Sequence, residues 1–147
     1  MTDIEIAKKY LKEENLTLAV AKNGELIFKS KDKGIKPMYI LATEMKEIAK
    51  GASIADKVIG KGAALLCEYI GIKEIYSELM SEIAIKILKG ANIDFTYSKI
   101  TSYIENRDRT GLCPIENMAK DLDNGEILLE MISEFLKLQS WTKIIVL

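Results

Sequence analysis

With 147 residues, 48% of them hydrophobic and 29% charged, the chain has the size and composition of one ordinary globular domain rather than of a disordered segment. Its 21 Lys and Arg against 22 Asp and Glu leave a net charge of −1, so no strong field favours nucleic acid. Histidine is absent, which excludes Ser-His-Asp and Cys-His arrangements, a histidine general base and every His-ligated zinc or iron site.

Two cysteines, Cys67 and Cys113, are too few for a tetrahedral cysteine zinc site. The opening Met1-Thr2-Asp3-Ile4-Glu5 lacks the basic flank and apolar core of a signal peptide, and no apolar stretch approaches the roughly 20 residues of a membrane helix. A cytoplasmic protein with no membrane partner is the expectation.

In chain order, Ile4, Ala7, Tyr10 and Leu11 recur at helical spacing, which predicts a surface helix over 3–14 with Asp3 as N-cap. Two apolar runs, 16–21 and 26–29, flank Asn23-Gly24 and predict an antiparallel hairpin with a type I′ turn. Pro37 suits the start of a helix in which Met38, Leu41, Met45 and Ile48 step by three and four, closed by Gly51. Strands and helices then alternate. A strand over 55–59 precedes a helix over 61–70 ending at Gly71, a strand over 72–79 precedes a helix over 81–88 ending at Gly90, and a third strand covers 93–100. Such repeats with short connections imply parallel strands and right-handed crossovers. Periodicity stops over 105–120, which reads as a loop of the functional kind. Ile127, Leu128, Met131, Ile132 and Phe135 mark a last amphipathic helix, and the apolar end, Trp141 to Leu147, reads as a final strand or docked tail. Burial of Ile144 to Leu147 against the domain or a neighbouring subunit would keep a β-prone run from solvent, so a homo-oligomer is expected.

The expected fold class is α/β, with three layers of helix, mixed sheet and helix, as an N-terminal antiparallel hairpin followed by parallel strands. No linker or repeat divides the chain, so 1–147 is expected to form a single domain with a core of about 16–136 and a tail over 141–147.

Three stretches carry a family resemblance: Ala55-Asp56-Lys57-Val58-Ile59-Gly60-Lys61-Gly62-Ala63-Ala64, Ser81-Glu82-Ile83-Ala84, and Asn106-Arg107 through Cys113-Pro114-Ile115-Glu116. Together with the element order they resemble the uncharacterised family called domain of unknown function 1893, over about Leu16 to Leu136. That resemblance implies a cytidine-deaminase-like fold. A zinc deaminase places H-x-E at the start of one helix and P-C-x-x-C at the start of the next. Here those places read Gly60-Lys61-Gly62-Ala63 and Met80-Ser81-Glu82-Ile83, with no metal ligand at either. Cys113-Pro114 inverts the Pro-Cys order and lacks a second nearby cysteine. Zinc-dependent deamination is therefore not expected, and no metal or other cofactor is assigned.

In an open α/β sheet ligands collect outside the carboxyl ends of parallel strands, where the helices starting at Lys61 and Ser81 present unpaired N–H groups. A lysine in the first turn opposes the helix dipole by roughly 0.3–1 kcal/mol, so local helix stability does not explain Lys61. An anionic ligand would explain it and would also explain Gly60 and Gly62, which permit close approach. The competing explanation is a solvated Lys61 beside glycines that relieve crowding. Asp56 is a candidate for the same site, whereas Lys57, on the opposite side of a regular strand, suits a partner within the scaffold. Ser81 is first an N-cap. Asn106 and Arg107, with Arg109, would close over a phosphate or carboxylate, or else form a surface network. Cys67 reads as a core residue. Cys113 is a candidate thiol nucleophile, for which Glu116 or Asp56 is the only base on offer. Two functions follow. One is a protein that binds a nucleotide-like or other anionic small molecule; the alternative is a non-catalytic sensing or interaction module on a degenerate deaminase scaffold.

Overall fold

The computed structural model describes residues 1–105 and 113–146, with side chains to 138. Its elements are α1 (Asp3–Glu13), β1 (Leu18–Lys22), β2 (Glu25–Ser30), α2 (Lys36–Glu44), α3 (Lys46–Ala49), β3 (Ser53–Ile59), α4 (Lys61–Ile70), β4 (Glu74–Ser81), α5 (Glu82–Gly90), β5 (Asp94–Thr101), α6 (Pro114–Ala119) and α7 (Gly125–Val146). They form a mixed α/β fold around one open sheet ordered β2-β1-β3-β4-β5. β1 is antiparallel to both β2 and β3, and β3, β4 and β5 run parallel.

The N-terminal helix is capped differently from the sequence expectation. Thr2, not Asp3, is the N-cap, its Oγ1 accepting from Glu5 N at 3.3 Å. Thr2-Asp3-Ile4-Glu5 carries the Thr-x-x-Glu spacing of a capping box, a signal that was available in the sequence. Asp3 instead holds the hairpin: its carboxylate accepts from Asn23 N at 3.1 Å and Gly24 N at 2.8 Å. With φ of 52° at Asn23 and 81° at Gly24, the turn has the two positive φ values of the expected type I′ hairpin.

Helices flank both faces of the sheet. On one face α1 packs Ala7 and Leu11 over a floor that includes Ala19, Ala21 and Ala55, small side chains that let the helix lie close. The other face is the larger core, where Leu18, Val20, Ile54 and Ile75 meet Met38 and Leu41 of α2, Leu66 and Ile70 of α4, and Leu88 of α5. Cys67 is wholly buried there, its Sγ 3.9 Å from Met38 Sδ, and burial followed by the nearby Asp56 charge pushes its thiol up in pKa.

Three other expectations are corrected. The helix after Pro37 breaks at Met45, whose φ of −127° leaves the helical region. The break rotates the next turn, so Ala49 is buried and Ile48 is 57% exposed. The stretch 105–120 contains α6, started by Pro114. The C-terminal segment is not a strand, because α7 is helical to Val146 and no Gly or Pro follows Gly125 to stop it. Whether Ile144 to Leu147 are buried lies outside the described side chains.

Asn124 caps α7, its Oδ1 accepting from Glu126 N at 2.8 Å and Ile127 N at 3.3 Å. Gly125 lets α7 touch the backbone of α4: a β-carbon there would lie 2.7 Å from the Leu65 carbonyl oxygen and 2.9 Å from Tyr69 Cβ. Neither atom is the end of a flexible chain, so Gly125→Ala should force the helices apart and cost about 2 kcal/mol in urea denaturation. An unchanged midpoint would contradict this contact.

Candidate functional site

Side chains normally alternate between faces along a strand. In β3, however, Ile54 and Ile59 both enter the larger core, and in β4 Ile75 and Met80 do the same, each pair five residues apart. Both strands therefore exchange faces midway without changing register, since Asp56 pairs with Ser77 and Val58 with Leu79. The exchange sits where two polar side chains bond their own backbone. Asp56 Oδ1 accepts from Val58 N at 3.3 Å, and Ser77 Oγ donates to Leu79 O at 2.6 Å. Asp56 is only 9% exposed. Burial raises its carboxyl to about 7, opposed by backbone hydrogen bonds from Val58 and Lys57 and assisted by the charge of Glu78. Lys57, as expected, finds a scaffold partner: its Nζ donates to Asn15 Oδ1 at 3.0 Å.

Beyond the exchange, β3 leads through Gly60 into α4, whose bounds and αL terminator Gly71, at φ 85°, match the sequence expectation. The first N–H groups of α4 are bonded within the molecule. Glu116 of α6 accepts from Lys61 N at 3.1 Å through Oε2 and from Gly62 N at 3.3 Å through Oε1. Glu116 is buried at 8% exposure, and desolvation raises its pKa against the opposing effect of those two bonds and of the Lys61 charge. A carboxylate at the positive end of a helix dipole is electrostatically matched. Lys61 Nζ reaches past it to donate to Lys120 O at 3.0 Å, just beyond the end of α6.

This arrangement changes the meaning of the flanking glycines. A β-carbon at Gly60 would collide with Glu116 Oε1 and lie 2.8 Å from Ile104 Cγ1, while one at Gly62 would lie 2.7 Å from Ile115 Cγ2. Close approach is required, but by α6 and its carboxylate. Gly60, Lys61 and Gly62 thus form one cluster with Glu116, a residue that the sequence alone suggests only as a base for Cys113. No local signal could have found this contact, because its partners lie 55 and 54 positions apart in the chain.

Ser81 caps α5, its Oγ accepting from Ala84 N at 3.2 Å with the residue wholly buried. Cys113 is half-buried at the start of α6, its N–H donating to Ile104 O at 3.0 Å. Its thiol makes no hydrogen bond among the described residues, so neither Asp56 nor Glu116 is hydrogen-bonded to it. Asn106, Arg107 and Arg109 lie outside the described residues. Also among the described residues, no three His, Cys, Asp or Glu side chains are grouped as metal ligands, and no helix is long and apolar enough to cross a membrane.

A crystal structure of a DUF1893 family protein from Thermotoga maritima is similar over 90% of this chain and 88% of that one, with a TM-score of 0.80 and 24% identity. No curated protein shows a significant match. The family described as a domain of unknown function (DUF1893) matches residues 6–136. On that match, spanning the hairpin, all three parallel strands and Glu116, the chain belongs to the DUF1893 family.

Proposed function

We propose that this chain is a non-catalytic interaction module on a deaminase-like scaffold, with its own Glu116 sealing the crevice at the carboxyl ends of the parallel strands. The hairpin followed by three parallel strands is the arrangement that the deaminase resemblance implies, and it supports that scaffold. The observation that carries the function is the Glu116 carboxylate on Lys61 N and Gly62 N, the donors that an anionic ligand would need. At the same end of the sheet, Ile100 and Tyr103 are 51% and 48% exposed, apolar surface that suits protein contact better than a charged small molecule.

The anion-binding reading keeps one supporting observation. Ile104 O accepts from Cys113 N at 3.0 Å and the Ile104 side chain lies beside Gly60, so the described residues on either side of 106–112 meet near the start of α4. A ligand there would have to displace Glu116. Thermal shift across inorganic phosphate, nucleotides and sugar phosphates separates the two. No anion should raise the melting temperature at millimolar concentration, and Lys61→Ala should lower stability by about 1 kcal/mol or less through loss of the bond to Lys120 O. A clear rise with a nucleotide, abolished by Lys61→Ala, would replace the interaction reading with the anion-binding one.

A further inference from the structure

We propose that β5, the open edge of the sheet, pairs antiparallel with β5 of a second copy of this chain, about a two-fold axis at Thr96. The pairing rests on the interaction reading and names its partner. β5 ends the strand order, so among the described residues no strand takes up its outer backbone groups. Six of its eight residues are exposed, with only Phe95 and Thr101 half-buried, so packing does not hide this edge. It also lacks the usual protections. No proline interrupts it, and its pairing with β4 keeps one register from Glu74↔Asp94 to Ser81↔Thr101. The opposite edge is protected: β2 carries a register shift opposite Val20 and Ala21, and its Lys29 is tied to Glu14 at the end of α1 at 2.7 Å. A row of unmet N–H and C=O groups calls for another strand.

Which groups are unmet follows from one bond. Asp94 N donates to Lys73 O at 3.3 Å, so Asp94 directs its backbone at β4. Pairing then runs without a gap to Ser77↔Tyr97, so Thr96 also turns inward while Phe95 and Tyr97 turn outward. It skips Ser98, so this regular outward pair is centred on Thr96. A two-fold normal to the sheet at Thr96 sets Phe95 against the partner's Tyr97, and Tyr97 against the partner's Phe95. Both members of each pair turn outward, so each pair exchanges both of its N–H···O bonds. The side chains agree. Phe95 and Tyr97 already stack, with ring centroids 6.4 Å apart and planes at 14°, and the two-fold continues that stack on the same face. On the other face Asp94 meets the partner's Ser98, beside the partner's Lys99. Like charges stay apart: along the strands Asp94 lies about 13 Å from its copy and Lys99 about 20 Å, both beyond the ~8 Å screening length. The edge is its own complement, and such an interface closes at two copies.

Sedimentation velocity of the full chain over a wide concentration range reads the proposal directly. The wild type should show a monomer–dimer equilibrium that persists as salt is added, since backbone bonds and rings carry it. The Tyr97 N–H points away from β4, so Tyr97→Pro removes an outward donor and leaves the ladder within the subunit intact. It should weaken association by about tenfold or more while circular dichroism stays that of the wild type. Cross-linking tests the register without that variant. In a Cys113→Ser background, Thr96→Cys places a thiol opposite its own copy and should give a disulfide-linked dimer under a mild oxidant. Ser98→Cys in the same background lies about 13 Å from its copy along the strands and should not. A wild type that is monomeric throughout overturns the proposal. So does association undiminished in a normally folded Tyr97→Pro protein, which would place the contact on another surface. Cross-linking through residue 98 as readily as through 96, or none through 96, overturns it as well. The interaction reading itself falls on a different result, a rise in melting temperature with phosphate, a nucleotide or a sugar phosphate.

Discussion

At pH 8, Asp56→Asn should unfold at a higher urea concentration than the wild type, and the difference should shrink as the pH falls towards 4. The folded carboxyl titrates near 7, against 3.8 for a free one, chiefly because it is buried. Below the lower value both states hold the proton, so ionisation makes no difference. Between the two values the folded state keeps a proton that the unfolded state has released, so stability falls as pH rises through this window. Above 7 the whole penalty of an ionised buried carboxylate is present, on the order of 4 kcal/mol for a displacement of this size. An asparagine Oδ1 can still accept from Val58 N, the bond that fixes the local backbone, while carrying no charge to desolvate. Comparing mutant with wild type at each pH removes the contribution of the surface carboxylates. A constant difference between pH 5 and pH 8 would show that Asp56 is not held protonated by its surroundings.

That carboxylate also marks where the sequence stops being legible. The hairpin turn, the span of α4 and the capping of α5 follow from Asn23-Gly24, Gly71 and Ser81, each acting through its own backbone or a neighbour a few residues away. Regular alternation, applied to Asp56-Lys57-Val58-Ile59, puts Ile59 opposite Asp56 and away from the larger core. The observed exchange of faces depends on Asp56 and Ser77 lying side by side on neighbouring strands, a coincidence that becomes visible only after pairing. Glu116 is hidden for the same reason. Nothing around Pro114-Ile115-Glu116 announces that its carboxylate will cap α4, and the glycines at 60 and 62 record only that something comes close. Their positions were readable as a site; their occupant was not. The length of α7 is hidden for a different reason, since amphipathic spacing reveals the part that packs and is silent on a helix that continues past it.

Glu116→Ala should destabilise the fold by about 3 kcal/mol. It would strip the bonding partner from two amides at the start of α4, remove a negative charge from the positive end of that helix and leave a void under α6. Glu116→Gln should fall between it and the wild type, because the amide retains one acceptor oxygen but directs an NH2 group where the second acceptor stood. Gly60 supplies the check that the loss arises from this contact. Its φ of −103° is open to any residue, so Gly60→Ala is opposed by sterics alone, first by the Glu116 carboxylate and then by the more yielding Ile104 side chain. Removing the carboxylate should therefore make room for the new methyl group. In a double-mutant cycle, Gly60→Ala should cost clearly less in the Glu116→Ala background than in the wild type, with a coupling of about 1 kcal/mol or more. Additive losses would mean that residue 60 and the carboxylate do not meet, and the crevice would then be open to the anion that Glu116 is proposed to keep out.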